Sequence, residues 1–241
     1  MDPPPPVRPI PGDAAIPLFR PDLARLGEQD PPLARVAEAR RSQRVYGDRP
    51  LDARQLGEFL YRVARIREEQ DVELETPSGP MRLAMVSRPY PSGGALYELE
   101  FYAAVAACEG VEPGLHYYEP RGHALVPIRA RTVEVEGLLR DAAESAGIPP
   151  DAIQVLLILS ARLPRLSWKY ASMAYALVLK HVGVVLHSMY LAATAMGLAP
   201  SALGAGDSDL FARAAGTDYY AETSVGEFLL GSRPATESPP R

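Results

Sequence analysis

The chain has 241 residues, 47% of them hydrophobic and 23% charged, the balance of a globular protein with one large domain or two small ones. A net charge of −5 offers no basic field to gather nucleic acid or an anionic membrane, and a single cysteine, Cys108, excludes an internal disulfide framework and any cysteine-rich metal site. Proline, at 25 residues, is about twice its usual share, but ten lie in residues 1–32 and three in the last eight, so the middle reads as an ordinary packed domain.

Residues 1–32 read as an extended Pro-rich arm, because each proline lacks a backbone donor and disfavours helix in the residue before it. The arm is either a loose tail or a strap that wraps a partner subunit. Its start, MDPPPPVRPI, lacks the basic-then-apolar order of a secretory signal, which makes a cytoplasmic protein the simplest expectation. A domain over 33–233 follows, and then a flexible tail over 234–241.

Inside the domain a short helical stretch precedes Arg40. Leu56, Phe59, Leu60, Val63 and Ile66 then recur at 3.6-residue spacing behind Asp52 as N-cap, predicting an amphipathic helix over 52–69 that Thr76-Pro-Ser-Gly-Pro80 follows as a break. Residues 100–107 predict a strand, and 115–118 with 124–128 a hairpin across Pro120-Arg-Gly122. A helix is expected over 132–145, ending at Gly147. The run Ile153 to Leu159, apolar without a break from Val155 on, predicts a buried central strand. Met173 to Met196 is long enough to span a bilayer, but Lys180, His181 and His187 fall in its middle, which favours a buried helix of a soluble protein. A short helix from Asp207 and a strand over 224–230 close the domain. Few strands alternating with helices predict an α+β sandwich with a helix-rich core.

Several familiar chemistries lack their residues. There is no phosphate-binding G-x-x-x-x-G-K-[ST] loop, and Gly204-Ala-Gly206 lacks the third glycine of a dinucleotide fingerprint. His181 and His187 are six apart, on different helix faces, and neither H-E-x-x-H nor G-x-S-x-G occurs.

Five segments remain. Arg40-Arg-Ser-Gln-Arg44 sets three guanidiniums and a hydroxyl in five residues, a local anion site unless it is only the solvated basic end of a helix. Arg88-Pro-Tyr-Pro-Ser-Gly-Gly-Ala95 combines rigid prolines with glycines that allow close backbone approach to a flat ligand; otherwise it is a turn. Lys169-Tyr170, after the central strand, is either a proton-handling pair whose pKa values are drawn toward neutrality by burial and charge, or two surface residues. Leu198 to Gly206 is rich in small residues, and Ser224 to Arg233 ends in an arginine that can return to the same anion.

In this order the segments resemble the nitroreductase superfamily and, within it, the SagB-type dehydrogenases. The likeness spans about residues 36–233 and rests on R-R-S-x-R-x-Y at 40–46, R-P-Y-P-S-G-G-A-L-Y at 88–97, K-Y at 169–170, Y-L-A-A-x-A-x-G-L at 190–198, and the ending G-D-S-D-L-F-A-R-A-x-G with S-V-G-E-F-L-L-G. The resemblance implies an α/β sandwich with a central, mostly antiparallel sheet flanked by helices, and an FMN enzyme, commonly a homodimer with flavin at the subunit interface. It implies oxidation of thiazolines and oxazolines in a peptide or carrier-bound substrate, beside a cyclodehydratase or synthetase partner. Arg40, Arg41, Ser42 and Arg44 would hold the FMN phosphate and ribityl chain, and Arg233 would close on the phosphate. Pro91, Ser92, Gly93 and Gly94 would line the isoalloxazine, and Leu203, Gly204 and Ala205 would meet its reactive edge. Lys169 and Tyr170 match the family's pair for proton abstraction. Other readings are nitro or enone reduction with NAD(P)H on the same fold, and a non-catalytic scaffold subunit of a biosynthetic complex. The chain departs from many relatives at Gly183-Val184, where a G-H pair is common, and at His187, where glutamine is. His187 is either a core histidine or a polar partner of Lys180 toward the site.

Overall fold

The computed structural model describes residues 4–9, 14–76 and 79–235. The chain runs β1 (Ile16–Pro17), α1 (Leu23–Gln29), α2 (Leu33–Ala39), β2 (Leu51–Asp52), α3 (Ala53–Ala64), β3 (Glu68–Thr76), β4 (Gly79–Ser87), β5 (Leu99–Val105), β6 (Cys108–Glu109), β7 (Gly114–Glu119) and β8 (Ala124–Ala130). It continues through α4 (Val133–Ala146), β9 (Val155–Arg162), α5 (Leu163–Tyr170), α6 (Ala174–Ala195), β10 (Ala199–Leu203), α7 (Ser208–Ala215) and β11 (Glu222–Gly231).

Seven strands form one antiparallel sheet in the order β1-β8-β7-β5-β9-β11-β10. The unbroken apolar run becomes β9 at its centre, with β5 on one side and β11 on the other. Its side chains alternate between two cores, which is why the run carries no polar beat. Leu157 and Leu159 join Phe101 and Phe228 under α3 and α6, while Leu156 and Ile158 join Tyr102 and Phe211 under α4 and α7. Local chemistry sets the helix ends. Asp52 and Gln55 form a reciprocal capping box at α3, and α4 stops where Gly147 adopts φ 67°.

Four expectations are corrected. The helix from Asp52 ends at Ala64, not residue 69, and Glu68–Thr76 instead pairs with Gly79–Ser87 as a hairpin outside the main sheet. The two-residue alternation that marks a strand is in fact present, with charge at Glu69, Asp71, Glu73 and Glu75 and Gln70, Val72 and Leu74 between them; residues 77 and 78 lie outside the described ones. The core is centred on the sheet rather than on helices, and the strands are many rather than few. The stretch 1–32 is only partly extended: it contributes α1, capped by Asp22, and β1 at the edge of the main sheet. Leu163-Pro-Arg165, expected to break the chain after the central strand, instead begins the helix Leu163–Tyr170, with Pro164 in its first turn, where proline's missing N–H costs nothing. Of the tail over 234–241, residues 236–241 lie outside the described ones.

Candidate active site

Chain direction after β4 and β9 brings the loop at residues 91–97 against the end of α5. Gly94 adopts φ 60°, and a Cβ there would lie 2.8 Å from the Tyr170 hydroxyl and 2.9 Å from Lys169 Nζ. Gly93 faces His181 and the Tyr170 ring, with a virtual Cβ 3.2 Å from His181 Nε2 and 3.8 Å from Tyr170 Cε2. The two glycines therefore admit the pair because they carry no side chain. α5 fixes the other partner: its buried Leu166 and Arg165 anchor the helix, which stops at Ala171 with φ 44° directly after Lys169 and Tyr170. Lys169 Nζ lies 5.5 Å from the centroid of the Tyr170 ring. Lys169 is exposed and Tyr170 half-buried, so a single chain does not supply the burial that the sequence reading invoked for this pair.

His181, set aside in the sequence as one of two misaligned metal-ligand candidates, holds this loop. The Gly93 N–H donates to His181 Nε2 at 2.8 Å, and His181 Nδ1 lies 2.7 Å from Glu98 Oε1. Ser92 Oγ donates to the other Glu98 oxygen at 3.2 Å and accepts from the Tyr97 N–H at 3.1 Å. Glu98 and His181 are buried. No spacing pattern joins residues 83 apart in sequence. The tertiary fold alone makes the connection.

A second group forms where the segment after α2 crosses the end of the sheet. The Gln43 N–H donates to Pro200 O, Ser42 Oγ meets Tyr190 Oη at 2.6 Å, and Tyr190 Oη accepts from the Ala202 N–H at 2.8 Å. The Arg40 guanidinium lies 5.3 Å from the centroid of the Tyr190 ring, while Arg41 and Arg44 are exposed. Arg233 Nε donates to Leu198 O at 3.1 Å, so the C-terminal arginine does return to this region. Past the last strand pair, Leu203 with Glu227, lie the exposed Gly204, Ala205 and Gly206. They border a cavity of about 350 Å³ with Val182, Leu186, Ser224 and Gly226. Glu227 also lines it; burial pushes its carboxyl up to about 7 against the opposing effect of a Ser224 hydrogen bond.

The predicted residues thus fall into two groups in one chain. Ser92, Gly93, Gly94, Lys169 and Tyr170 meet at the loop, with Pro91 at its start. Arg40, Ser42 and Arg233 gather at the ends of β10 and α6, where Leu203, Gly204 and Ala205 continue from β10. Outside the two groups stand His187, Lys180 and Arg88. His187 is exposed rather than a core histidine, Lys180 is exposed on the same helix, and Arg88 turns into the core with Nη2 3.8 Å from Glu100.

The nitroreductase family model matches residues 37–231. A protein of Methanocaldococcus jannaschii named as a nitroreductase is 30% identical over 186 residues, 77% of this chain and 82% of that one. Among solved structures, a nitroreductase of Ralstonia eutropha superposes with a TM-score of 0.67 at 20% identity, covering 96% of this chain and 95% of the other. A chain of the Escherichia coli microcin synthetase McbBCD complex, solved with truncated pro-MccB17 bound, superposes with a TM-score of 0.62 at 18% identity, covering 91% and 88%.

Proposed function

The chain belongs to the nitroreductase family of flavin oxidoreductases, and from that premise we propose that it is an FMN-dependent dehydrogenase of the SagB type. Its substrates are thiazoline or oxazoline rings in a peptide or carrier-bound intermediate, which it oxidises to azoles. The observation that carries this reading is the convergence of Lys169 Nζ and the Tyr170 hydroxyl on one point beside Gly94. The shared fold with a chain of a peptide-modifying synthetase complex supports a peptide substrate and a synthetase partner.

The residues present fit FMN. The exposed guanidiniums of Arg41 and Arg44, with Ser42 beside them, match a phosphate, and Arg40 and Arg233 reach Tyr190 of α6 and Leu198 just before β10. A Cβ at Gly204 would meet nothing within 4 Å, so the backbone at Leu203, Gly204 and Ala205 is open to a flat ring. Pro91, Ser92, Gly93 and Gly94 would form the second wall. In the reading proposed here the two groups come together in a homodimer, one from each subunit.

Converting an azoline to an azole removes a carbon-bound proton and a hydride. FMN, when bound, supplies the hydride acceptor. The chain supplies a base: either Tyr170 as its phenolate, with the Lys169 ammonium beside it, or Lys169 as its free amine takes the proton. Gly94, by carrying no side chain, lets both groups stand against the loop, and the His181–Glu98 relay keeps the loop from swinging away.

Protein reconstituted with FMN and given a thiazoline peptide in air should remove two hydrogen atoms per ring, read by mass spectrometry. Failure to oxidise any azoline peptide, with rapid bleaching of the flavin by NAD(P)H, establishes the second reading, nitro or enone reduction, which the Methanocaldococcus relative's name favours. A protein with no absorbance near ~450 nm after FMN addition is neither enzyme but a scaffold subunit.

A further inference from the structure

The Pro-rich arm is bound to the back of the candidate active site. Arg165 Nη1 donates to the Pro4 carbonyl at 2.6 Å and Arg162 Nη2 to the Pro5 carbonyl at 2.8 Å. Pro6 and Val7 are buried. Arg8 Nη1 bonds the Tyr102 hydroxyl and lies 3.5 Å from Glu222 Oε2. The composition suits the contact. A run of prolines has carbonyls to offer and no N–H to satisfy, a guanidinium has donors and no acceptor, and the polyproline conformation is stiff before it binds.

Beneath the arm, Arg165 is fully buried and its donors go to three carbonyls: Pro4, Leu96 at 2.8 Å and Ala84 at 3.2 Å. One side chain therefore joins the arm, β4 and the loop at 91–97. Its own backbone lies in α5, one turn before Lys169. The loop needs such a hold. Ala95 and Tyr97 adopt φ 53° and 49° on either side of Leu96, a conformation that residues with side chains keep only when their surroundings impose it.

We propose that the N-terminal arm is a positioning element of the active site, which through Arg165 holds the loop at 91–97 in register with Lys169 and Tyr170. The inference rests on the proposed function only in placing that pair at the reacting atoms. The arm acts on the loop whatever the substrate.

The test uses full-length protein carrying Val7→Asp and Arg8→Glu, which buries a charge under the arm and sets a carboxylate against Glu222. Without flavin, amide hydrogen exchange at residues 93–97 should quicken by about tenfold or more while exchange in β9 stays unchanged. A synthetic peptide of residues 1–10 added in trans should slow it again. Arg8→Ala, which removes only the clasp on Tyr102 and Glu222, should give a smaller effect of the same kind. Arg165→Lys, which keeps the charge and loses the fork, should reproduce the double variant and resist rescue by the peptide. With FMN and substrate, kcat of the double variant should fall by about tenfold with KM within ~twofold, and the peptide should restore it. Loop exchange that is unchanged, or that rises only together with β9 in both arm variants, overturns the proposal by making the arm either inert or a general stabiliser. Failure of azoline turnover in the wild-type protein overturns the substrate reading and leaves the exchange result to decide the arm.

Discussion

The N–H of Gly93 donates to Nε2 of His181, and this single bond selects the tautomer of the ring. Nε2 must hold the lone pair, so Nδ1 carries the hydrogen and donates to Glu98. His181→Ala leaves the Glu98 carboxylate buried without this donor and the Gly93 N–H without its acceptor, and should cost about 2–4 kcal/mol in urea unfolding. Gln, with an acceptor and a donor on one amide, should recover part of the loss. An Ala variant as stable as the wild type would make the relay incidental to the fold.

Lys169 and Tyr170 should act on chemistry rather than on cofactor retention. Lys169→Ala and Tyr170→Phe are each expected to lower turnover by about 10²–10⁴-fold while flavin absorbance after gel filtration stays at the wild-type level. Gly94→Ala tests the geometry with both groups intact, since its methyl would sit 2.8 Å from the Tyr170 hydroxyl and 2.9 Å from Lys169 Nζ. It should lower turnover in the same direction. Unchanged turnover in all three variants would mean that the pair is structural.

Glu227 should make stability depend on pH near neutrality. Burial holds its carboxyl up at about 7, whereas in the unfolded chain it titrates near the ordinary glutamate value of ~4.3. Between about pH 5 and pH 7 the folded protein therefore holds a proton that the unfolded chain has released, and stability falls as pH rises through that window. Glu227→Gln removes the titration, so it should be more stable than the wild type above pH ~7, by roughly 1–3 kcal/mol, and equal to it near pH ~4. Thermal melts of both proteins across this range give the comparison. Parallel curves would place the carboxyl in water.

Much of the fold was legible because its signals are local. The short apolar run at 155–159, bounded by turn residues, reads as a strand covered on both faces, and Asp52, Gly147 and Asp207 mark helix ends through their own side chains or dihedral freedom. The hairpin of β3 and β4 went unread although Glu69, Asp71, Glu73 and Glu75 alternate with Gln70, Val72 and Leu74, because its apolar beat is only two residues long and Thr76-Pro-Ser-Gly-Pro80 serves as a break as readily as a hairpin turn. Of the candidate site, the sequence singled out the residues with distinctive composition: the arginines at 40–44, the glycines at 93–94 and the pair at 169–170. His181, Glu98 and Arg165 were not. Each acts through a partner more than 60 residues away, and nothing in periodicity or spacing encodes a contact made by the fold. The arm was misjudged for the same reason, since the arginines that bind it lie some 160 residues downstream.

The outer face of α6 gives the last prediction. Tyr175 and Leu179, one turn apart on the helix, are 63% and 49% exposed, with Met173 just before the helix at 59%. They stand beside the stripe Val178, Val182, Val185 and Met189 that is packed in the core. Exposed large apolar side chains beside a packed stripe mark a surface for a second partner. If that surface is another copy of the chain, the group around Gly93, Gly94, Lys169 and Tyr170 in one subunit can meet the group around Arg40 to Arg44 and Gly204 in the other. Leu179→Glu removes an apolar contact worth about 1.5–3 kcal/mol and, in a twofold arrangement, removes it twice. Its dimer dissociation constant should rise by at least about a hundredfold in sedimentation velocity, and bound FMN should be lost in proportion to the monomer formed. A wild-type protein that sediments as a monomer while retaining flavin, or a Leu179→Glu variant that stays dimeric, would show that one chain holds the cofactor alone or that subunits meet elsewhere.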